Sequence, residues 1–368
     1  FTYPQSRQAD ELINEIVAEV AMIVEAVVPP DRYHALVLIG GYGRGEGGVR
    51  CDRGTERPNN NLDFLLISRD ASEEQSSCWQ QAIVDRIQEI QERREISIDF
   101  SVIAGQILRR SACRIMWYDM RWGHKTLLGD QNYVPSMKRF QLDRIPKWDV
   151  HNLLVNRGTL LVINDCLEAE GTWPQNAAAI TRHTIKAIIG YGDALLYSFG
   201  KYQWSYVEKQ KRMRTMESID GEFRALYDAA ADFRFRPQET LPAILSNRQR
   251  IREQCESIHL LCESKRLGRK NLNWDNYLDT ALSAGVWEDI SPMGWARSMR
   301  NACQSKEIHC HRDPTVHPES VRRWRPAAQI GLRSLSIQRV LGILFPAVAY
   351  SSCSDSMRSD AASILNAC

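Results

Sequence analysis

The sequence predicts an α+β chain: a small mixed sheet with its covering helices first, then an all-helical part. Three observations predict it. The uniformly apolar residues 35–39 run directly into a glycine-rich stretch, and two more strand-like segments follow before residue 103. Beyond about residue 149 alternation disappears and helical spacing takes over. The expected division is a first domain over 1–135 and a helical domain over 136–368 that closes a cleft.

Residues 9–28 read as a helix. Leu12, Ile13, Ile16, Val17, Val20, Ile23, Val24 and Val27 recur at helical spacing, with Glu11, Glu15 and Glu19 on the other side. Pro29 and Pro30 end it. Residues 35–39 are apolar throughout, as expected of a strand covered on both faces. Residues 50–60 are polar, carry Pro58 and lack an apolar period, so they read as a loop. Residues 62–67 are strand-like, and 77–94 are helical through Trp79, Ile83, Ile87 and Ile90. Over 96–102, Ile96, Ile98, Phe100 and Val102 alternate with Ser97, Asp99 and Ser101, the pattern of a half-buried strand. A further helix over 106–121 and a short closing strand over 125–128 complete the first part. Residues 151–168, 177–199, 221–233, 241–264 and 332–344 all read as helices.

Composition narrows the classes. A length of 368 residues accommodates two cores, and a net charge of +2 makes no demand for a nucleic-acid partner. The ten cysteines show neither a CxxC pair nor regular spacing, and no signal peptide is evident, so a reducing cytoplasm is expected. The apolar segment over 340–350 contains Pro346 and falls short of the roughly 20 residues that span a bilayer, so no membrane partner is expected.

The informative stretch is Gly40-Gly41-Tyr42-Gly43-Arg44-Gly45-Glu46-Gly47-Gly48. Gly43-x-Gly45-x-x-Gly48 formally matches a dinucleotide fingerprint, but that motif needs an amphipathic helix immediately after it, and here the next dozen residues are polar. A Walker loop would end in Gly-Lys-Ser/Thr, which Gly45-Glu46 replaces. Glycines at the end of a buried strand let a ligand approach main-chain N–H groups, and Arg44 adds a charge-assisted contact to phosphate oxygens.

Side chains two apart on a strand share a face. Asn61 and Asp63 therefore project together, opposite Leu62, Phe64 and Leu66, and Asp99 projects from the polar face of its own strand. If the two strands are neighbours, Asp63 and Asp99 converge beside the glycine turn, where oxygen ligands suit Mg²⁺ and triphosphate. The bland alternative is that both acids are exposed strand residues satisfied locally.

Together these residues resemble the nucleotidyltransferase superfamily of the DNA polymerase β type: a strand ending in paired glycines, an acid-x-acid pair, then a third acid on a later strand. The glycine run is similar to that of the uridylyltransferases that modify nitrogen-regulatory signalling proteins. The likeness covers roughly residues 34–130. It implies a nucleotidyltransferase sheet domain and transfer of a nucleoside monophosphate from an NTP, ATP first among them, with pyrophosphate leaving. It also implies that Gly40, Gly41, Tyr42 and Arg44 surround the nucleotide's phosphates. Asp63 would bridge two Mg²⁺ ions, and Asp99 would bind the catalytic ion and help deprotonate the acceptor. The chain departs from the family in two ways. The spacing from Gly41 to Asn61 is long, and Asn61 stands where the first acid belongs, offering a neutral oxygen without charge. An inactivated variant, a natural one-metal or weak enzyme, and a retired enzyme that only binds nucleotide all accommodate that substitution.

In the helical half, Lys186 and Tyr206 resemble the lysine and tyrosine that such helical domains bring toward the triphosphate. A solvated lysine and a core tyrosine are the plainer readings. Cys303, His309, Cys310, His311 and His317 match no zinc-ligand spacing. Arg322, Arg323 and Arg325 suit either an acidic or RNA acceptor or a solvated face. The expected acceptor is a hydroxyl-bearing small molecule; a protein side chain or tRNA end is the alternative acceptor, and a nucleotide-binding regulatory module without turnover the alternative class.

Overall fold

The computed structural model describes residues 1–169, 173–238, 241–277 and 280. The cysteine–histidine cluster over 303–317, the arginines over 322–325 and the helix expected over 332–344 lie outside them. The described residues form two compact units, Phe1–Asp149 with Lys201–Ile244, and Val150–Gly200 with those from Leu245 onward.

The first unit holds a four-stranded sheet in the order β5-β4-β1-β6, built from β1 (Tyr33–Ile39), β4 (Leu62–Ser68), β5 (Ile98–Ala104) and β6 (Lys125–Gly129). β1 runs antiparallel to both β4 and β6, whereas β4 and β5 are parallel, so the sheet is mixed. A parallel pair requires a crossover, and α3 (Glu73–Arg94) supplies it. Ser72 caps α3 by accepting from the Gln75 N–H at 3.1 Å, Glu73 and Glu74 occupy its first turn, and Arg93 and Arg94 its last.

α1 (Arg7–Val27) lies with α3 over one face of the sheet. Ile13, Ile16, Val20 and Val24 of α1 and Ile83, Ile87 and Ile90 of α3 bury with Leu36, Leu38, Leu62, Phe64, Leu66, Ile98 and Phe100. Each such side chain contributes about 1.5–3 kcal/mol when removed from water, so this layer fixes which residues of β4 and β5 face the helices. On the polar sides of the helices, Arg94 reaches Glu15 at 2.8 Å and Glu19 at 2.7 Å. Period-two alternation then sends Asp63 and Asp99 to the opposite face.

Residues 50–60 are not an irregular loop. β2 (Val49–Asp52) and β3 (Thr55–Pro58) form an antiparallel hairpin, joined by Arg53 at φ +49° and Gly54 at φ +84°. Two successive left-handed residues define the type I′ turn that suits hairpin twist. The missing apolar alternation hid it, because Arg50, Cys51, Asp52 and Thr55 are exposed. The hairpin absorbs the long spacing from Gly41 to Asn61. The other helices of this unit are the single turn α2 (Gly40–Gly43), α4 (Gly105–Arg110), α5 (Ile115–Trp122), α8 (Tyr206–Arg214) and α9 (Gly221–Phe235).

α6 (Lys147–Ala169) leads into the second unit, which continues with α7 (Trp173–Ser198), α10 (Ala243–Ser246) at its edge and α11 (Arg248–Leu267). Among the described residues no helix is long and apolar enough to cross a membrane. α11 packs on α7 around a buried polar group. His259 Nε2 meets the Tyr277 hydroxyl at 3.2 Å, and that hydroxyl donates to Glu263 at 2.9 Å. Glu263 also faces Arg266 at 2.7 Å and His151 at 3.2 Å. Burial drives the His259 pKa down to about 3, against the opposing pull of Glu263. Burial alone would raise Glu263, but His151 and Arg266 outweigh it and hold the carboxyl below its usual range.

Both shifts act in the same direction on stability. His259 stays neutral in the fold while the unfolded chain takes up a proton below about pH 6.5, so its contribution is lost as pH falls from there toward 3. Glu263 adds a second loss below the ordinary glutamate range. Urea unfolding of the second unit should therefore weaken from pH 6.5 downward, by up to about 1.4 kcal/mol per pH unit from His259. The substitution His259→Gln should flatten the profile between pH 6.5 and 5. An unchanged slope would show that His259 does not carry it.

Candidate functional site

The site follows from strand register. In the antiparallel β1–β4 pair, Ile39 is opposite Asp63, so the chain leaving β1 at Gly40 turns directly beside that carboxylate. In the parallel β4–β5 pair, Asp63 is opposite Asp99. Both acids project from the face away from α1 and α3, and Asn61, two residues before Asp63, shares it. The three side chains meet: Asn61 Nδ2 donates to Asp63 Oδ1 at 2.7 Å and to Asp99 Oδ2 at 2.5 Å.

Electrostatics explains the amide. Two carboxylates at the ~4.8 Å spacing of adjacent strands repel by about 1 kcal/mol in water and about 3.5 kcal/mol at an effective dielectric of 20. Asp99 is exposed, which favours the lower end. Only the –NH₂ end of Asn61 can donate to both acids at once, so the bonding fixes the amide orientation. Among the described residues no group of three or more Asp, Glu, His or Cys gathers as a metal-ligand set. Two acids and an amide meet here instead.

Gly40 is the hinge of this arrangement. Its φ is +70°, a conformation costly for any residue with a Cβ, and a methyl group there would overlap Asp63 Oδ2. The carboxylate therefore lies against bare backbone.

The glycine turn is held from beneath by Tyr42, which is buried in the core. Its hydroxyl donates to the Gly48 carbonyl at 2.9 Å and accepts from the N–H groups of Asn59 at 2.9 Å and Asn60 at 3.1 Å. Burial raises its pKa to about 12, so it remains a donor at any physiological pH. Tyr42 thereby positions the backbone immediately before Asn61.

The other end of the turn is tied to residues far along the chain. Arg44 Nη2 pairs with Asp119 of α5 at 2.8 Å, with each side chain only 9% exposed. Tyr202 donates to the same carboxylate, with its hydroxyl 3.0 and 3.1 Å from the two oxygens. Burial alone would lower the Arg44 pKa, but the Asp119 charge outweighs it and the guanidinium stays above its usual value. Arg44 is thus committed to a protein carboxylate. Buried Glu46 caps α8, accepting from the Ser205 hydroxyl and, at 2.7 Å, from the Tyr206 N–H.

Tyr206 adjoins this turn, in the same unit as the sheet. Three cations surround its ring: Lys209 at 3.9 Å, Arg234 of α9 at 4.2 Å and Arg44 at 4.9 Å from the centroid. Lys209 is fully buried. Lys186 is exposed on α7, in the second unit. Sequence reasoning missed Glu46, Asp119, Lys209 and Arg234. Asp119 carried a signal, as a lone acid within an aromatic helix; Glu46 became legible only through contacts with residues 205 and 206, and Lys209 and Arg234 only through the burial of the first and the stacking of both on Tyr206.

Replacing Gly40 by Ala should cost at least about 1–2 kcal/mol from the left-handed backbone alone and push the Asp63 carboxylate off the Asn61 amide. Urea denaturation measures the cost. Wild-type stability in this variant would contradict the close approach of Asp63. No protein-family model matches the chain, and comparison with curated proteins finds no match.

Proposed function

We propose that this chain binds a nucleoside triphosphate at the Gly40-Gly41 turn and transfers its nucleoside monophosphate to a hydroxyl of a small-molecule acceptor, releasing pyrophosphate. ATP is the first nucleotide to test. The observation that carries the reading is the meeting of Asn61, Asp63 and Asp99 beside the Gly40 turn, whose missing side chain lets the Asp63 carboxylate lie against the backbone.

Oxygen donors of this kind suit one Mg²⁺ ion. Two acids bond one Asn61 nitrogen, so a single position is shared by both, and rotation of the amide would present its oxygen there. Asp63 and Asp99 would hold the ion, with Asn61 as a neutral ligand; a second ion lacks a charged partner. When bound, Mg²⁺ neutralises charge building on the phosphate oxygens.

The protein's own groups perform the remaining tasks. Gly40 and Gly41 let phosphate oxygens approach the main chain. Tyr42 and Arg44 support the turn from below, through the backbone of residues 59 and 60 and through Asp119. Tyr206, with its ring of cations, lines the phosphate side. Asp99, the more exposed acid, accepts the acceptor's proton as the hydroxyl oxygen attacks the α-phosphorus and the bond to the β-phosphate oxygen breaks.

The doubly donating Asn61 amide favours a second reading, a nucleotide-binding regulatory module without turnover, because it hydrogen-bonds both acids without a metal. The Asn61→Asp variant separates the two when incubated with Mg²⁺, each labelled NTP and a cell extract. The enzyme reading expects label in small molecules, about 10²-fold or more above wild type, a barrier difference of about 2.7 kcal/mol. Nucleotide binding with background transfer in both forms would leave the regulatory module, and label in protein or RNA would change the acceptor class.

A further inference from the structure

Arg234, beside the glycine turn, has no ion-pair partner among the described residues. Its guanidinium stacks on Tyr206 at 4.2 Å, and its Nη1 is buried with no hydrogen-bond partner among the described residues. Arg44 beside it is neutralised by Asp119, and the Glu46 carboxylate is taken up by Ser205 and Tyr206. A buried guanidinium nitrogen without an acceptor is unfavourable, and stacking on an aromatic ring compensates only part of that.

The position of Arg234 is fixed by its neighbours. Gly48 is so close to the Arg234 carbonyl that a methyl group there would overlap it. Phe235 meets the Tyr3 ring at 4.9 Å, and Arg236 pairs with Glu56 of the hairpin at 2.8 Å. The end of α9 is thereby pinned against the glycine turn, with Arg234 Nη2 3.3 Å from where a Gly41 side chain would begin. The same point is 3.5 Å from the Glu46 carbonyl oxygen and the Gly47 Cα, so glycine at 41 keeps a side chain from pressing on the guanidinium.

We infer that Arg234 and Gly41 form an anion site that takes the terminal phosphates of the polyphosphate tail, and that this site works without a divalent ion. The inference rests on the nucleotide reading for where the tail lies, and it adds the group that recognises it. Planar guanidinium donors match phosphate oxygens in pairs, which a lysine cannot reproduce. With Asn61 weakening the metal's hold, the positive charge on the phosphate side comes from Arg234.

Sodium tripolyphosphate in EDTA, titrated calorimetrically and followed by thermal shift, is the probe. Wild type should bind it and rise in Tm. The variant Arg234→Gln should lose at least tenfold in affinity, and Arg234→Lys should recover only part of it. Because the Tyr206 stack is lost in Arg234→Gln, Gly41→Ala serves as an independent variant: it keeps the guanidinium but sets a methyl group 3.3 Å from Nη2, and should also weaken binding. Affinities of Arg234→Gln and Gly41→Ala within twofold of wild type, or no tripolyphosphate binding by wild type, would overturn the assignment. Binding of ATP by wild type with equal affinity in Arg234→Gln would overturn the anion site and leave the nucleotide reading intact. Arg234-dependent binding of tripolyphosphate with no binding of any NTP would keep the site and remove the nucleotide.

Discussion

Two like charges held in register on neighbouring parallel strands are the constraint on which the site depends. Asp63 and Asp99 cannot move apart without breaking the β4–β5 pairing, and they cannot turn inward, because the alternate positions fill the core beneath α1 and α3. Something must answer their charge. In this chain the Asn61 amide does, with one donor to each acid. A carboxylate at 61 would instead put a third negative charge at the same place and make the fold locally dependent on a cation.

The glycine turn is held by a set of anchors that never touch the acids. Tyr42 ties it to the end of the hairpin, Arg44 to α5, and Glu46 to the start of α8. Each is a part-buried polar contact between residues well separated in sequence, and such contacts are costly to leave unmet. The result is a rigid rim: one side carries the Asp63–Asp99 pair and the other carries Tyr206 with its cations. The same anchors draw residues 201–244 into the sheet's unit, although those residues are helical and follow two helices of the other unit.

Much of this was legible in the sequence, for identifiable reasons. Strand parity is a local property, so Ile98 and Phe100 against Asp99, and Leu62 and Phe64 against Asp63, revealed which side chains share a face. The glycines after residue 39 marked where the chain turns. Register between strands is not local, yet the likeness to a known constellation supplied the expectation that the acids meet. What stayed hidden was of two kinds. The β2–β3 hairpin lies at the surface, so its exposed residues show no alternation, and its best signal was the Arg53-Gly54 turn. Arg234, Lys209, Glu46 and Asp119 owe their placement to tertiary contacts, and a buried lysine reads in sequence like any solvated one.

The side-chain amide of Asn61 reports most directly on this account. In protein labelled with ¹⁵N-asparagine and assigned by Asn61→Ser, both Asn61 amide protons should exchange slowly, since each is held by a carboxylate, and both should shift on addition of MgATP. An Asn61 amide that exchanges as fast as a surface asparagine and ignores MgATP would contradict the account.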